Sequence, residues 1–180
     1  CASSQLQQPM FKRKSIDERQ FCQMTSNAIN NRNRRGNADI KLVFKNDKQE
    51  PNNFSVIADK IMLQYLLNNV IEAFVNNDSI GNLFVDFEKS QDFINFAFYF
   101  DFVNIKKKQI DNMFYPEALI YDEEKDRLIG AQMLIAKQII REHDDHVRRG
   151  CRISAKKQDD KNGITIAFSL PADKNNHLSI

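Results

Sequence analysis

The stretch Lys60–Val75 constrains this chain more than any other. It runs sixteen residues without Gly or Pro, and Ile61, Met62, Leu63, Leu66, Leu67, Val70, Ile71, Ala73 and Phe74 make it apolar almost all round. A helix of that kind is buried on most sides. Asp59 immediately before it is a natural N-cap. Its polar residues stand in a line: Gln64, Asn68 and Glu72 recur every four positions and therefore stack on one face. A buried polar stripe needs partners, whether protein groups, water or a ligand.

A second helix is written between Leu128 and His143, with Gly130 at its mouth and Met133, Ile135, Ala136, Ile139 and Ile140 on one face. Two alternating runs follow, Cys151–Lys157 and Ile164–Leu170, closed by Pro171. Upstream, Met10–Lys14 reads as a short edge strand. Ser15 with Glu18 three residues on is a capping box that starts a helix. Ile16, Phe21, Met24 and Ala28 give that helix a face, and it dissolves into the arginine-bearing 30–37. Ile40–Lys45 is a strand, and 47–53 a loop around Pro51. Leu83–Glu88 and Ile94–Asp101 form a hairpin about 89–92, with Phe96, Phe98 and Phe100 on one face. Lys106–Lys108 opens a short helical segment, and 115–127 connects it to the second long helix. Strands gathered on one side of long helices predict an α+β two-layer sandwich, a mixed sheet covered on one face by three helices.

The totals narrow the function classes. At 180 residues the chain can bury a core without disulfides or metal. No apolar run reaches the ~18 residues of a membrane helix. Cys1, Cys22 and Cys151 are odd in number and far apart, which fits a reducing compartment. Beginning on Cys, the chain reads as a piece of something longer; Cys-Ala-Ser-Ser would also begin a processed lipoprotein. Net charge is +2. Arg32, Arg34 and Arg35 with Lys12, Arg13 and Lys106–Lys108 would make a basic surface. No aromatic interleaving accompanies it, so a nucleic-acid partner is not expected. His143-Asp144-Asp145-His146 near Cys151 lacks zinc spacing; it reads as a solvated helix terminus with cationic imidazoles.

The order of elements resembles the ATP-binding catalytic domain of sensor histidine kinases, in the superfamily shared with gyrase, the heat-shock chaperone ATPase and mismatch-repair ATPases. The likeness covers about 10–171, between a flexible 1–9 and a tail at 172–180. Gln64–Ala73 falls on the family's Q-V-L-x-N-L-x-x-N-A helix; Asn68 is kept, and Glu72 takes the place of the magnesium-holding Asn. In the D-x-G-x-G-I motif the adenine-reading acid becomes Phe100, with Phe102 and Asn104 for the glycines. A register one residue later restores Asp101 but makes Val103 and Ile105 the glycines. Strand alternation favours the first. The G-x-G-L-G-L motif is reduced to Leu128–Met133, where Gly130 alone survives and Gln132 stands beside it. Gly163-Ile164-Thr165 matches G-T-T, putting Thr165 at the adenine pocket. Ala136–His143 followed by Gly150-Cys151-Arg152-Ile153 is also similar to a group of bacterial sensor-kinase-like proteins with a worn-down ATPase domain.

The resemblance implies ATP and magnesium as cofactors, weakly bound or not bound. It implies a phosphoacceptor and dimerisation segment as partner, with a response regulator possible, and the cytoplasm as location. His143, His146 and His177 offer no acceptor helix. Three functions stay open: a signalling or docking module with weak or lost nucleotide binding, a competent kinase domain with atypical contacts, and a pure interaction domain.

Overall fold

The computed structural model describes residues 11–45, 54–114, 121–122, 127–148, 150–157 and 161–174. In chain order the elements are β1 Arg13–Asp17, α1 Glu18–Arg34, β2 Asp39–Phe44, β3 Ser55–Asp59, α2 Lys60–Phe74, β4 Ile80–Lys89, β5 Phe93–Phe100, α3 Lys107–Asp111, β6 Tyr121–Asp122, β7 Arg127–Leu128, α4 Ile129–Val147, β8 Ile153–Lys156 and β9 Ile164–Pro171. Five strands form one mixed sheet in the order β2-β4-β5-β9-β8. β2 runs parallel to β4, and every other pair is antiparallel. β1 with β3, and β6 with β7, make two small sheets. The expected segments 1–9 and 47–53, and most of 115–127 and the tail, lie outside the described residues.

Alternation along the strands sets the layers. In β5, Phe96, Phe98 and Phe100 are buried while Ala97 and Tyr99 are half-exposed. β9 repeats this with Ile164, Ile166 and Phe168 inward and Thr165 and Ala167 outward. The inward face carries the helices: α1 lies towards β2, α4 towards β9, and α2 packs between α1 and α4. Aromatic rings fill the seam. Phe21 of α1 stacks on Phe96 at 4.2 Å, and Phe168 meets Phe96 and Phe98 at 5.2 and 5.3 Å. Burying each such ring stabilises the fold by ~1.5–3 kcal/mol.

Several boundaries differ from the sequence reading. The first helix starts at Glu18, capped by Asp17, whose carboxylate accepts from Gln20 N (2.8 Å), while Gln20 Oε1 accepts from Asp17 N (3.1 Å). Ser15 is not the cap. It sits in β1 opposite Ile57, because Ile16 must pair with Val56 and is buried there. β3, which the sequence reading missed, exists to make that pair. α1 also persists to Arg34 rather than dissolving at Asn30, and α4 runs four residues past His143. Pairing continues beyond Pro171, with Ala172 bridging Val56 and Asp173 N donating to Ser55 O (2.9 Å).

α2 begins as expected on Asp59, whose Oδ1 accepts from Ile61 N and Met62 N at 3.0 Å each. Leu63, Leu66, Leu67, Val70, Ile71 and Phe74 are all buried. The all-round burial fails only near the start, where Ile61 and Tyr65 are exposed at 79% and 53%.

Candidate functional site

The polar stripe of α2 faces α1. Gln64 Nε2 donates to Met24 O (3.2 Å) and to Asn68 Oδ1 (3.0 Å). At the end of the stripe Glu72 pairs with two guanidinium groups, Arg32 at 3.3 Å and Arg35 at 3.1 Å. Arg32 is 8% exposed, and also donates to Val75 O (3.1 Å) and Asn77 Oδ1 (3.0 Å). Asn31 and Arg32 of α1 and its C-cap Arg35, with Tyr65, Asn68 and Glu72 of α2, border a groove of about 250 Å³. Its charged lining is two cations around one carboxylate. A cation placed there would compete with both guanidinium groups for the same oxygens.

Arg32 was unreadable as a partner because it counts as a surface arginine by type. The signal was its position: Phe21, Met24, Ala28 and Arg32 follow helical spacing along one buried face. The expected basic surface is corrected accordingly, since a buried Arg32 tied to Glu72 cannot contribute to it.

Phe100 ends β5 fully buried, its ring 5.1 Å from Phe74 of α2 and 6.1 Å from Phe102. The alternation argument for an inward Phe100 holds. Asp101, one residue on, turns to the start of β4. Its Oδ1 accepts from Asn82 N (2.7 Å) and its Oδ2 from Asn82 Nδ2 (2.8 Å), while Asp101 N donates to Asn82 O (3.2 Å). Gly81 permits this clamp: a Cβ there would lie 2.6 Å from Phe102 Cδ1 and 2.8 Å from Asp101 Oδ1. No carboxylate at 100 or 101 therefore reaches towards α2.

Gly130 is the second residue of α4, after the β6–β7 pair, and Gln132 is half-buried two residues later. Thr165 pairs with Tyr99 on the sheet face turned away from the helices. The seven candidate residues thus fall in five separate places. Asn68 and Glu72 share the α1–α2 groove, and Phe100 lies in the core. Asp101 holds β4, Gly130 and Gln132 start α4, and Thr165 occupies the opposite face.

The reading of His143 is also corrected, while the side chain of His146 lies outside the described residues. His143 is 1% exposed, not solvated. Its Nε2 accepts from Asp59 N (3.2 Å), and its Nδ1 lies 2.8 Å from Ile139 O. Phe11 meets it edge-on at 4.9 Å. Asp144 Oδ1 accepts from Gly150 N and Cys151 N at 2.6 and 2.8 Å, closing the turn into β8. Among the described residues no His, Cys, Asp and Glu group could hold a metal. Asp59 sits beneath this helix end. Burial raises its pKa, but N–H groups of Lys12, Met62 and Ile61 outweigh that and leave it below the usual carboxylate value. Burial, and then Glu18, push the Cys22 thiol up to about 11, the opposite of what a nucleophile needs. No helix among the described residues is long and apolar enough to cross a membrane.

No protein-family profile and no curated protein sequence matches the chain. Solved structures do. The catalytic domain of histidine kinase ThkA, in a nucleotide-free form, aligns over 89% of this chain and 95% of its own length, with TM-score 0.63 and 15% identity. The Mycobacterial sensor histidine kinase MprB covers 89% of this chain and 98% of its own, at TM-score 0.61 and 14% identity. The Acinetobacter baumannii histidine kinase AdeS gives 93% and 71%, at TM-score 0.59 and 13% identity. Five mixed strands under helices on one face are therefore an established arrangement, and this chain has the fold of the histidine kinase catalytic domain.

Proposed function

We propose that the chain is a sensor-kinase-type module of a two-component system in which nucleotide binding is weak or lost, and that it acts by docking to signalling partners. Phe100 carries this reading. The resemblance puts the adenine-reading acid at this position, and a fully buried phenyl packed on Phe74 fills it. The neighbouring acid, Asp101, is engaged by both donors of Asn82. Losing a hydrogen bond to a charged group costs about 1.5–3 kcal/mol, or roughly 10- to 150-fold in affinity. Magnesium, a hard cation served by carboxylate oxygen, fits poorly at Glu72, whose oxygens already face Arg32 and Arg35.

Partners follow from the same likeness. ThkA has been solved in complex with its response regulator TrrA, in a structure of which this chain covers 45%. A response regulator, and a dimerisation and phosphoacceptor segment, are the partners we assign. The cytoplasm is the compartment where such a module would meet them, and 10–171 is the unit that would do so.

Isothermal titration with Mg-ATP tests the reading. The expected dissociation constant is millimolar or weaker. A value in the low micromolar range would instead support a competent kinase domain with atypical contacts.

A further inference from the structure

The sheet face turned away from the helices carries a row of side chains that chain order scatters. Phe84 lies opposite Tyr99, Tyr99 opposite Thr165, and Thr165 opposite Lys156. Four strands thus contribute one side chain each to a line across the sheet. Lys45 extends it at the fifth strand: its N–H donates to Val85 O (2.9 Å), and its Nζ stands 5.4 Å from the centre of the Phe84 ring and 6.0 Å from that of Tyr99. The two rings lie 6.0 Å apart with planes 27° from parallel, a continuous aromatic floor. Lys156 and Lys161 close the far end, and the whole encloses a cavity of about 230 Å³.

The floor is fixed in place. Tyr99 Oη donates to Asn162 O (2.8 Å). Gly163, at φ +111°, lets the turn lie against the ring, where a Cβ would come within 2.7 Å of Tyr99 Cε2. Three lysines face one acid, Asp86, in the lining. Among the described residues none of the three lysines forms an ion pair. Rings that already hold the Lys45 ammonium over them, with Lys156 and Lys161 beside them, suit a planar, anionic ligand: Lys45 swings aside as the ring stacks, and lysine holds the charge. The volume falls below the ~300–1,000 Å³ of drug-sized sites, leaving room for one ring and one anionic group. An acidic peptide would use the lysines and leave the rings uncovered.

We propose that this face binds a nucleotide unit, its base on the Phe84–Tyr99 floor and its phosphate at Lys156 and Lys161. The unit is supplied either as a free nucleoside monophosphate or within a single strand. Aromatic interleaving, whose lack argued against a nucleic-acid partner, is here produced by strand register. The site stands apart from the helix-covered face and does not depend on whether Mg-ATP binds there.

The test is fluorescence anisotropy with a labelled six-nucleotide uridine strand, and NMR titration with uridine monophosphate. Both are run on the whole chain at low and physiological salt. Tyr99→Ala is expected to weaken binding about 5- to 150-fold. Lys156→Glu with Lys161→Glu should abolish it at physiological salt and flatten its salt dependence. Tyr99→Phe, which keeps the ring, should retain it. Binding of both probes with the same variant pattern assigns a free nucleotide; binding of the strand alone assigns a single-stranded partner. Should Tyr99→Ala lower the melting temperature, Phe84→Leu reads the same loss. Three results would overturn the proposal: no saturable binding of either probe at millimolar concentration, binding indifferent to loss of a ring, or equal binding of a poly-glutamate peptide.

Discussion

The two faces of the central sheet are built from adjacent residues and have opposite chemistry. On the covered face Phe96, Phe98 and Phe100 interlock with Phe21, Phe74 and Phe168, and every position is dry. On the open face Phe84, Tyr99 and Thr165 lie one residue away in sequence or one strand away in space, half-exposed among lysines. A one-residue step along β5 moves a side chain from one regime to the other. Phe100 against Asp101, and Ile164 against Thr165, are therefore differences of placement as much as of residue type. Close packing leaves the covered face little freedom to admit a ligand, whereas the open face has room.

The comparison can be broken most severely by moving a charge between the faces. Phe100→Asp would bury an unpaired carboxylate and should cost more than about 4 kcal/mol or abolish folding. Thr165→Asp, on the open face, should cost about 1 kcal/mol or less. Urea unfolding of the pair measures the contrast, and similar losses would mean that the faces are not as unlike as described.

Arg32 sharpens the same contrast within the helix layer. Arg32→Ala strips partners from Val75 O, Asn77 and Glu72 at once. The expected loss is about 1–3 kcal/mol in a urea melt. Arg35→Ala, its more exposed neighbour on the same carboxylate, should lose less than about 1 kcal/mol.

Asp59 gives the smallest effect and a pH signature. Its pKa is lowered in the folded chain, so its contribution is fully present above the ordinary carboxylate pKa. It fades as pH falls through the lower folded value. Asp59→Asn, which keeps an N-cap acceptor, should leave neutral-pH stability within about 1 kcal/mol and remove part of the loss seen below about pH 4. Melting temperature against pH for both proteins checks this.

How much of this was legible in the chain depends on whether a residue's role follows from local spacing. The cap at Asp59, the inward Phe96, Phe98 and Phe100, and the two-layer plan come from periods of 3.6 and 2, and all appear in the fold. Ser15 failed because pairing with a distant strand, β3, outweighed a good local capping signal. His143 failed because its burial depends on Asp59, 84 residues away. Asp101's attachment to Asn82 and the Lys45–Phe84–Tyr99 row required knowing which strands are neighbours. Residue types announce what chemistry is possible; register decides which partners meet.

The most direct measurement follows the Mg-ATP titration residue by residue in the NMR spectrum of the amide groups. With an aromatic ring seated at Phe100 and Glu72 held by Arg32 and Arg35, the amides of Asn68, Glu72, Phe100 and Gly130 should move by no more than about a tenth of their full shift at about a hundred micromolar nucleotide, a tenth of a millimolar dissociation constant. Saturating shifts at these four positions at low micromolar Mg-ATP would show an occupied nucleotide site on the covered face and contradict the account.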